Sequence, residues 1–256
     1  MNKNDRKWFL TKVKQAIARY QMIQTGDHVA VALSGGKDSL VLLWLLQELQ
    51  QHSHLSFQLS AVHVDCGWPQ QDLTEIKKIC SMLSIPLYFE KSCIAEAIFP
   101  SGNLIDNPCA LCSRLRRGAL LHWAQEHQCN KIALGHHLDD FVETLFLNLL
   151  HGGQFQVFAP RIDYEDRQIA LIRPLVYLDE KTCIQLAQRY SLHPVANACP
   201  VNHQTQRQAV KQLLATMRLQ YPDLNRKVLH ALEHQSPQQL WSVYSQMSGQ
   251  GTAEPD

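Results

Sequence analysis

Three short runs of this 256-residue chain hold residue types that could do chemistry. The first, Ser34-Gly35-Gly36-Lys37-Asp38-Ser39, offers backbone amides, two hydroxyls and a helix start. Unpaired N–H groups and the helix dipole both favour negative charge, so such a run is an anion site. Its glycines permit positive φ and close approach of backbone to phosphate oxygens. It is not a Walker A loop, because Val31 stands at the first glycine position and Asp38 follows the lysine, and it lacks the G-x-G-x-x-G fingerprint. The second run is Gly135-His136-His137-Leu138-Asp139-Asp140-Phe141-Val142-Glu143-Thr144. One carboxylate at a helix start is an ordinary cap, but a cap requires neither a second Asp nor a preceding Gly-His-His. The third is Cys109-Ala110-Leu111-Cys112, followed by Arg114, Arg116 and Arg117. A lone C-x-x-C can be half a zinc site, a redox pair or part of an iron–sulfur site. The zinc reading lacks a second ligand pair, and only Cys199 lies in a comparable loop setting. The arginines suit phosphates and stacked bases.

These runs need elements to hold them. Phe9, Val13, Ala16, Ile17 and Tyr20 recur at helical spacing, and this first helix is expected to close at Gly26. His28 to Leu33 is short, apolar and β-branched, as a buried parallel strand is. Helices are expected over 38–50, 73–83, 114–127, 138–150, 179–190, 204–220 and 223–234, and strands over 57–64, 86–89 and 131–134, with a loop holding possible short strands over 152–166. Alternating strands and helices predict an α/β fold with a doubly wound, mostly parallel sheet. In such sheets ligands bind beyond the carboxyl ends of the strands, and the turns after Leu33, Val64 and Leu134 all lie there. His63 and Asp65, at the end of the second strand, join the candidates on that ground. The expected organisation is an N-terminal helix over 1–26, a nucleotide-binding domain over 27–178, a helical extension over 179–247 carrying Cys199, and a disordered tail over 248–256.

Composition narrows the function classes. Twenty-four Lys and Arg against 23 Asp and Glu leave a net charge of +1, so no global field holds a polyanion and any nucleic-acid contact must be local. The longest apolar run, Leu40 to Leu46, is far below the roughly 20 residues that span a bilayer, and no signal peptide is legible, so a cytoplasmic protein away from membranes is expected. In a reducing compartment the eight cysteines point to metal or catalysis before disulfides. Cys80, Cys93, Cys129 and Cys183 read as core residues.

The S-G-G-x-D-S loop resembles that of the ATP-pyrophosphatase (PP-loop) superfamily, enzymes that cleave ATP between its α and β phosphates, and Gly135 to Thr144 resembles its G-H-x-x-D-D-x-x-E-T element. The loop, C-x-x-C-S-R-L-R-R-G, the Gly-His-His-x-Asp-Asp run and a distal cysteine together resemble the tRNA 2-thiocytidine synthetases (TtcA), from the first helix to Met217. The resemblance implies an adenine nucleotide alpha hydrolase-like fold and thiolation of the cytidine at tRNA position 32. ATP, Mg²⁺ and a 4Fe-4S cluster are the implied cofactors, in a homodimer fed with sulfur by a cysteine desulfurase. Carried over, Ser34, Gly35, Gly36, Lys37, Asp38, Ser39, Asp65, Gly135 and His136 bind nucleotide. Asp140, Asp38 and Arg116 are catalytic, and Cys109, Cys112 and Cys199 hold the cluster. Many relatives carry a further cysteine where this chain has Ala196, which makes Cys66, beside Asp65, the reserve third ligand. Rival readings are another PP-loop tRNA enzyme of lysidine or 2-thiouridine type, which leaves the C-x-x-C without a task if it forms lysidine, and a non-catalytic nucleotide-gated iron–sulfur or zinc protein, which needs no cleavage chemistry.

Overall fold

The computed structural model describes residues 6–68, 72–195, 199 and 206–235. A π-helical turn (Arg6–Leu10) leads into α1 (Thr11–Arg19), and then β1 (His28–Ala32), α2 (Lys37–His52), β2 (Gln58–Asp65), α3 (Thr74–Met82), β3 (Leu87–Lys91) and α4 (Ile94–Ile98) follow. The chain continues through α5 (Pro108–Glu126), β4 (Lys131–Ala133), α6 (Leu138–Gly152), β5 (Arg161–Tyr164), β6 (Ile169–Ile172), α7 (Glu180–Arg189), α8 (Gln206–Gln220) and α9 (Leu224–Glu233).

The strands form one sheet in the order β3-β2-β1-β4-β6-β5, parallel throughout except for the antiparallel edge pair β5–β6. The doubly wound sheet expected from the alternation is therefore present. Val31 of β1 sits level with Ala61 of β2 and Ala133 of β4. The chain runs outward from β1 through β2 to β3 and returns to the other side of β1 at β4, so the order reverses between β1 and β4, the switch point beyond whose carboxyl ends such sheets bind ligands in a crevice.

Both faces are covered. On one, Val13, Ile17, Val29, Val31 and Ala133 pack with Leu40 to Leu46 of α2 and with Cys183 and Leu186 of α7. On the other, Ala30, Val62, Ile132 and Leu171 meet Leu120, Leu121, Trp123 and Ala124 of α5. Leu138 and Val142 of α6 bury Val210 and Leu214 of α8 in a smaller cluster, which fastens the C-terminal helices beside the crevice.

Several expectations need correcting. The first helix ends at Arg19, capped by Tyr20, not at Gly26. The helix expected from Arg114 starts at Pro108, with Asn107 in the left-handed region before it. Its first turns are exposed, at Cys109 and Ala110, so they carry no apolar period, and the signal available there is a proline at the first helical position. Cys109 and Cys112 thus lie one turn apart on a helix. The strand β6 and the short α4 were not expected at all; Ile169–Ile172 is buried at every position and has no alternation to betray it. Cys93 is exposed, whereas Cys80, Cys129 and Cys183 are buried as expected. Residues 204, 205 and 248–256 lie outside the described residues.

Candidate active site

The turn between β1 and α2 is tightly determined. Gly35 has φ +85° and an added Cβ would lie 3.2 Å from Val195 Cβ, while the Val195 amide donates to the Gly35 carbonyl at 2.9 Å. Ser39 Oγ donates to the Gly36 carbonyl (2.8 Å), and the Gly36 amide donates to Ser34 Oγ (3.3 Å). Gly36 is the N-cap of α2 without a side-chain cap. The first-turn amides of α2 therefore lack the capping oxygen that would satisfy them, which is how a helix start receives phosphate.

The second run meets this turn through backbone alone. A Cβ on Gly135 would lie 2.9 Å from Asp38 C and Ser39 N, closer than real Cβ atoms come, so only glycine lets the end of β4 touch the start of α2. His137 is the N-cap of α6, in a capping box in which its amide donates to Asp140 Oδ2 at 3.0 Å. The His137 ring is buried between carboxylates, with Nε2 3.7 Å from Asp38 Oδ1 and Nδ1 3.4 Å from Asp140 Oδ2. Asp38 Oδ1 is buried without a hydrogen-bond partner.

The two adjacent aspartates differ. Asp139 is buried and accepts from the Glu180 amide (2.7 Å) and Asn225 Nδ2 (2.8 Å), with Arg218 Nη2 at 3.1 Å. Its oxygens are committed to α7, α8 and α9. Asp140 is half-buried, with Arg207 Nη2 3.7 Å away. Arg207 Nε also stands 3.3 Å from Glu143 Oε2, and burial raises the pKa of Glu143 while this guanidinium lowers it. Lys37 Nζ pairs with Asp38 (3.0 Å) and Glu180 (3.2 Å), and Lys211 Nζ reaches Glu180 at 2.8 Å. Burial works against the Glu180 carboxylate, but the two lysines prevail and hold its pKa down at about 2.

Thiols gather at the next strand end. Arg116 Nε donates to Cys66 Sγ at 3.2 Å. A hydrogen bond with Cys112 and the Arg116 charge, against burial, bring the Cys66 thiol down to about 6, and the same bond pushes Cys112 up. Cys199 is close enough to act electrostatically on Cys112 and Arg116. Cys66, Cys112 and Cys199 thus converge on one guanidinium from β2, α5 and the segment beyond α7, while Cys109 is exposed one turn back. The buried His63 ties this site to the loop, with Nδ1 2.7 Å from the Leu33 carbonyl. Asp65 Oδ1 accepts from the Gly67 amide at 2.9 Å.

A PP-loop domain model matches residues 7–217. A tRNA-cytidine(32) 2-sulfurtransferase of Pelobacter propionicus is 36% identical over 230 residues, 89% of this chain and 86% of that protein. The enzyme of the same name from Methylococcus capsulatus is 39% identical, over 88% and 78%. The chain belongs to the tRNA-cytidine(32) 2-sulfurtransferase family of PP-loop proteins. Among solved structures it resembles the U34-tRNA thiolase NcsA from Methanococcus maripaludis with its [4Fe-4S] cluster, at TM-score 0.70 and 24% identity over 90% of this chain and 79% of that one. It also resembles the NH3-dependent NAD synthetase of Campylobacter jejuni, at 0.51 and 15% over 91% and 88%. Both likenesses are of fold.

In this PP-loop protein the sheet edge brings together Ser34 to Ser39, Gly135, His136 and Asp140, with Asp65, Cys66, Cys112 and Arg116 at the neighbouring strand end. Cys109 lies one helical turn from Cys112 and is exposed. Arg114 and Arg117 are exposed. Lys211 and Arg218, which pair with Glu180 and Asp139, are not singled out by the sequence, and neither are Glu180 and Arg207. Arg173, just beyond β6, was missed too. It is 3% exposed, donates from Nε to His136 Nδ1 at 3.2 Å and from Nη1 to the Ala159 carbonyl, and lies over the Phe158 ring at 4.6 Å. The arginine of Arg173-Pro174 at the end of an apolar run was the only signal available.

Proposed function

We propose that the chain is an ATP-dependent tRNA sulfurtransferase that forms 2-thiocytidine at position 32. The observation that carries this reading is the placement of a thiol cluster and an anion-binding helix start at adjacent strand ends, tied by His63 to Leu33. Nucleotide cleavage and sulfur chemistry then share one crevice.

The amides of the Ser34–Ser39 turn, the Ser34 and Ser39 hydroxyls and Lys37 hold the pyrophosphate portion of ATP. They stabilise the charge that grows on it as the cytosine O2 bonds to the α-phosphorus and the bond to the β-phosphate oxygen breaks. Asp38 and Asp140 are the carboxylates for Mg²⁺. The unpartnered Asp38 Oδ1 fits a cation, because a buried carboxylate oxygen without a donor is otherwise costly. Asp139 is structural. Adenylation makes O2 a leaving group, and AMP departs from C2 as sulfur replaces it.

Among the described residues no three His, Cys, Asp or Glu side chains are arranged to hold a single metal ion. Thiols from three segments nevertheless form a soft donor set that suits iron–sulfur ligation. Cys109 and Cys112, with Cys199 or Cys66 as the third, would hold a 4Fe-4S cluster, which would supply an iron without a protein ligand for sulfur to occupy. Arg116 keeps a positive charge beside these thiolates. Arg114 and Arg117 take the tRNA backbone, a cysteine desulfurase is the sulfur source, and the enzyme works as a cytoplasmic homodimer.

The test is nucleoside mass spectrometry of tRNA from a strain lacking the gene. Loss of 2-thiocytidine, restored by the wild-type gene and not by Asp140→Asn, is expected. Unchanged 2-thiocytidine refutes the reading. The same digest reports 2-thiouridine and lysidine, so a loss there selects the rival PP-loop chemistries.

A further inference from the structure

We infer that Arg173 is a positioning residue that fixes His136 as a neutral ring with its proton on Nε2, so that this N–H is a standing hydrogen-bond donor to an α-phosphate oxygen of the nucleotide. The inference rests on reading the crevice as the ATP site, but not on the identity of the tRNA base.

The chemistry of the contact decides the tautomer. A guanidinium has five donors and no acceptor. Arg173 Nε lies 3.2 Å from His136 Nδ1 in donating geometry, so Nδ1 must offer its lone pair. A proton there would set two donors face to face. The ring's single proton is therefore on Nε2, an atom with no hydrogen-bond partner among the described residues. Arg173 is itself locked, by the Ala159 carbonyl and by the face of Phe158, and the His136 ring packs on the same Phe158 with centroids 4.8 Å apart.

The location supplies the ligand. His136 follows Gly135, whose backbone touches Asp38 and Ser39 at the start of α2. Facing the ring are Arg173 from the end of β6, Asp140 of α6, Arg207 of α8 and the neighbouring His137. Burial first, and then Arg173, push the pKa of His136 down to about 4, with Asp140 opposing. The ring thus stays uncharged at neutral pH and cannot pair with Asp140 as a cation. Arg173 makes no ion pair among the described residues. A buried guanidinium without a carboxylate costs stability, and the positive potential that it adds is matched by a polyphosphate.

Two measurements test this on the full-length protein. ¹⁵N-histidine NMR, with His136→Gln to assign the ring, should show a neutral Nε2–H tautomer that stays unprotonated down to about pH 5. With Arg173→Leu, and in milder form with Arg173→Gln, the ring should titrate nearer the ordinary value of about 6.5 and sample the Nδ1–H form. In ATP-dependent pyrophosphate release with tRNA, Arg173→Gln should slow the wild type by about tenfold or more, the scale of a weakened transition-state donor. His136→Gln lowers the rate by itself, since its amide replaces the ring. In that background Arg173→Gln should cost less than about twofold more, because an amide has no tautomer to fix. An Nδ1–H ring in the wild type, a tautomer indifferent to Arg173, or equal rate losses in both backgrounds would each overturn the inference. A wild type that releases pyrophosphate but leaves cytidine unthiolated would instead count against the proposed function alone.

Discussion

Glu180→Gln isolates the electrostatic bridge that ties the anion-binding turn to the C-terminal helices. Glu180 receives Lys211 at 2.8 Å and Lys37 at 3.2 Å with its side chain 23% exposed. Its carboxyl sits at about 2 in the fold against 4.5 for a free glutamate. At about 1.4 kcal/mol per pKa unit the charged form contributes roughly 3 kcal/mol, an upper figure that salt reduces. The folded pKa is the depressed one, so this contribution is complete above about pH 5 and is lost as pH falls towards 2, with about half gone by pH 3. The assay is urea denaturation of wild type and Glu180→Gln at pH 7, 5, 4 and 3. The variant should be destabilised by roughly 2–3 kcal/mol at pH 7, which for a chain of this size lowers Tm by about 4–12 °C, and the gap should narrow by at least 1 kcal/mol at pH 3. A gap that stays constant from pH 7 to 3 would refute the argument, because it would mean that the side chain acts by packing and not by charge.

Gly135→Ala forces a Cβ to within 2.9 Å of the α2 backbone and should abolish ATP-dependent pyrophosphate release while circular dichroism keeps its helical signal; near-normal turnover would count against the contact. Asp139→Asn strands Arg218 and offers the donating Glu180 amide only a neutral acceptor oxygen, so it should lose about 2–4 kcal/mol in chemical denaturation, whereas Asp140→Asn should keep most of its stability and lose about 100-fold or more in turnover. Anaerobically purified Cys112→Ala should lose the visible iron–sulfur absorbance; comparing Cys66→Ala with Cys199→Ala then identifies the third thiolate, and retention of the full absorbance by Cys112→Ala would exclude Cys112 as a ligand.

What could be read from the sequence, and what could not, divides by distance along the chain. The turn after β1 and the capping run of α6 are local: their residues lie within six or ten positions of one another, so spacing reveals both the elements and the candidates. The alternation of strand and helix predicted the sheet for the same reason. Partners far apart in the chain escape such reading. Glu180 is an unremarkable glutamate until Lys37, 143 positions away, closes on it, and Arg173 resembles a strand-end arginine until the fold sets His136 against it, 37 positions distant. The start of α5 was hidden because exposed first turns owe nothing to apolar periodicity, and with it the fact that Cys109 and Cys112 share a helix. Cys66 was recognisable as a neighbour of Asp65, but its contact with Arg116 on α5 was not.

The hold of α8 and α9 on the crevice also bears on how the protein is made. Asp139 is satisfied by Arg218 and Asn225, and Glu180 by Lys211, all of which leave the ribosome after the whole sheet has been synthesised. Until they emerge, Asp139 lacks the side chains of Arg218 and Asn225, and Glu180 has Lys37 of α2 alone. The charge balance of the site is therefore a property of the finished chain, reached when α8 and α9 have been added to the sheet.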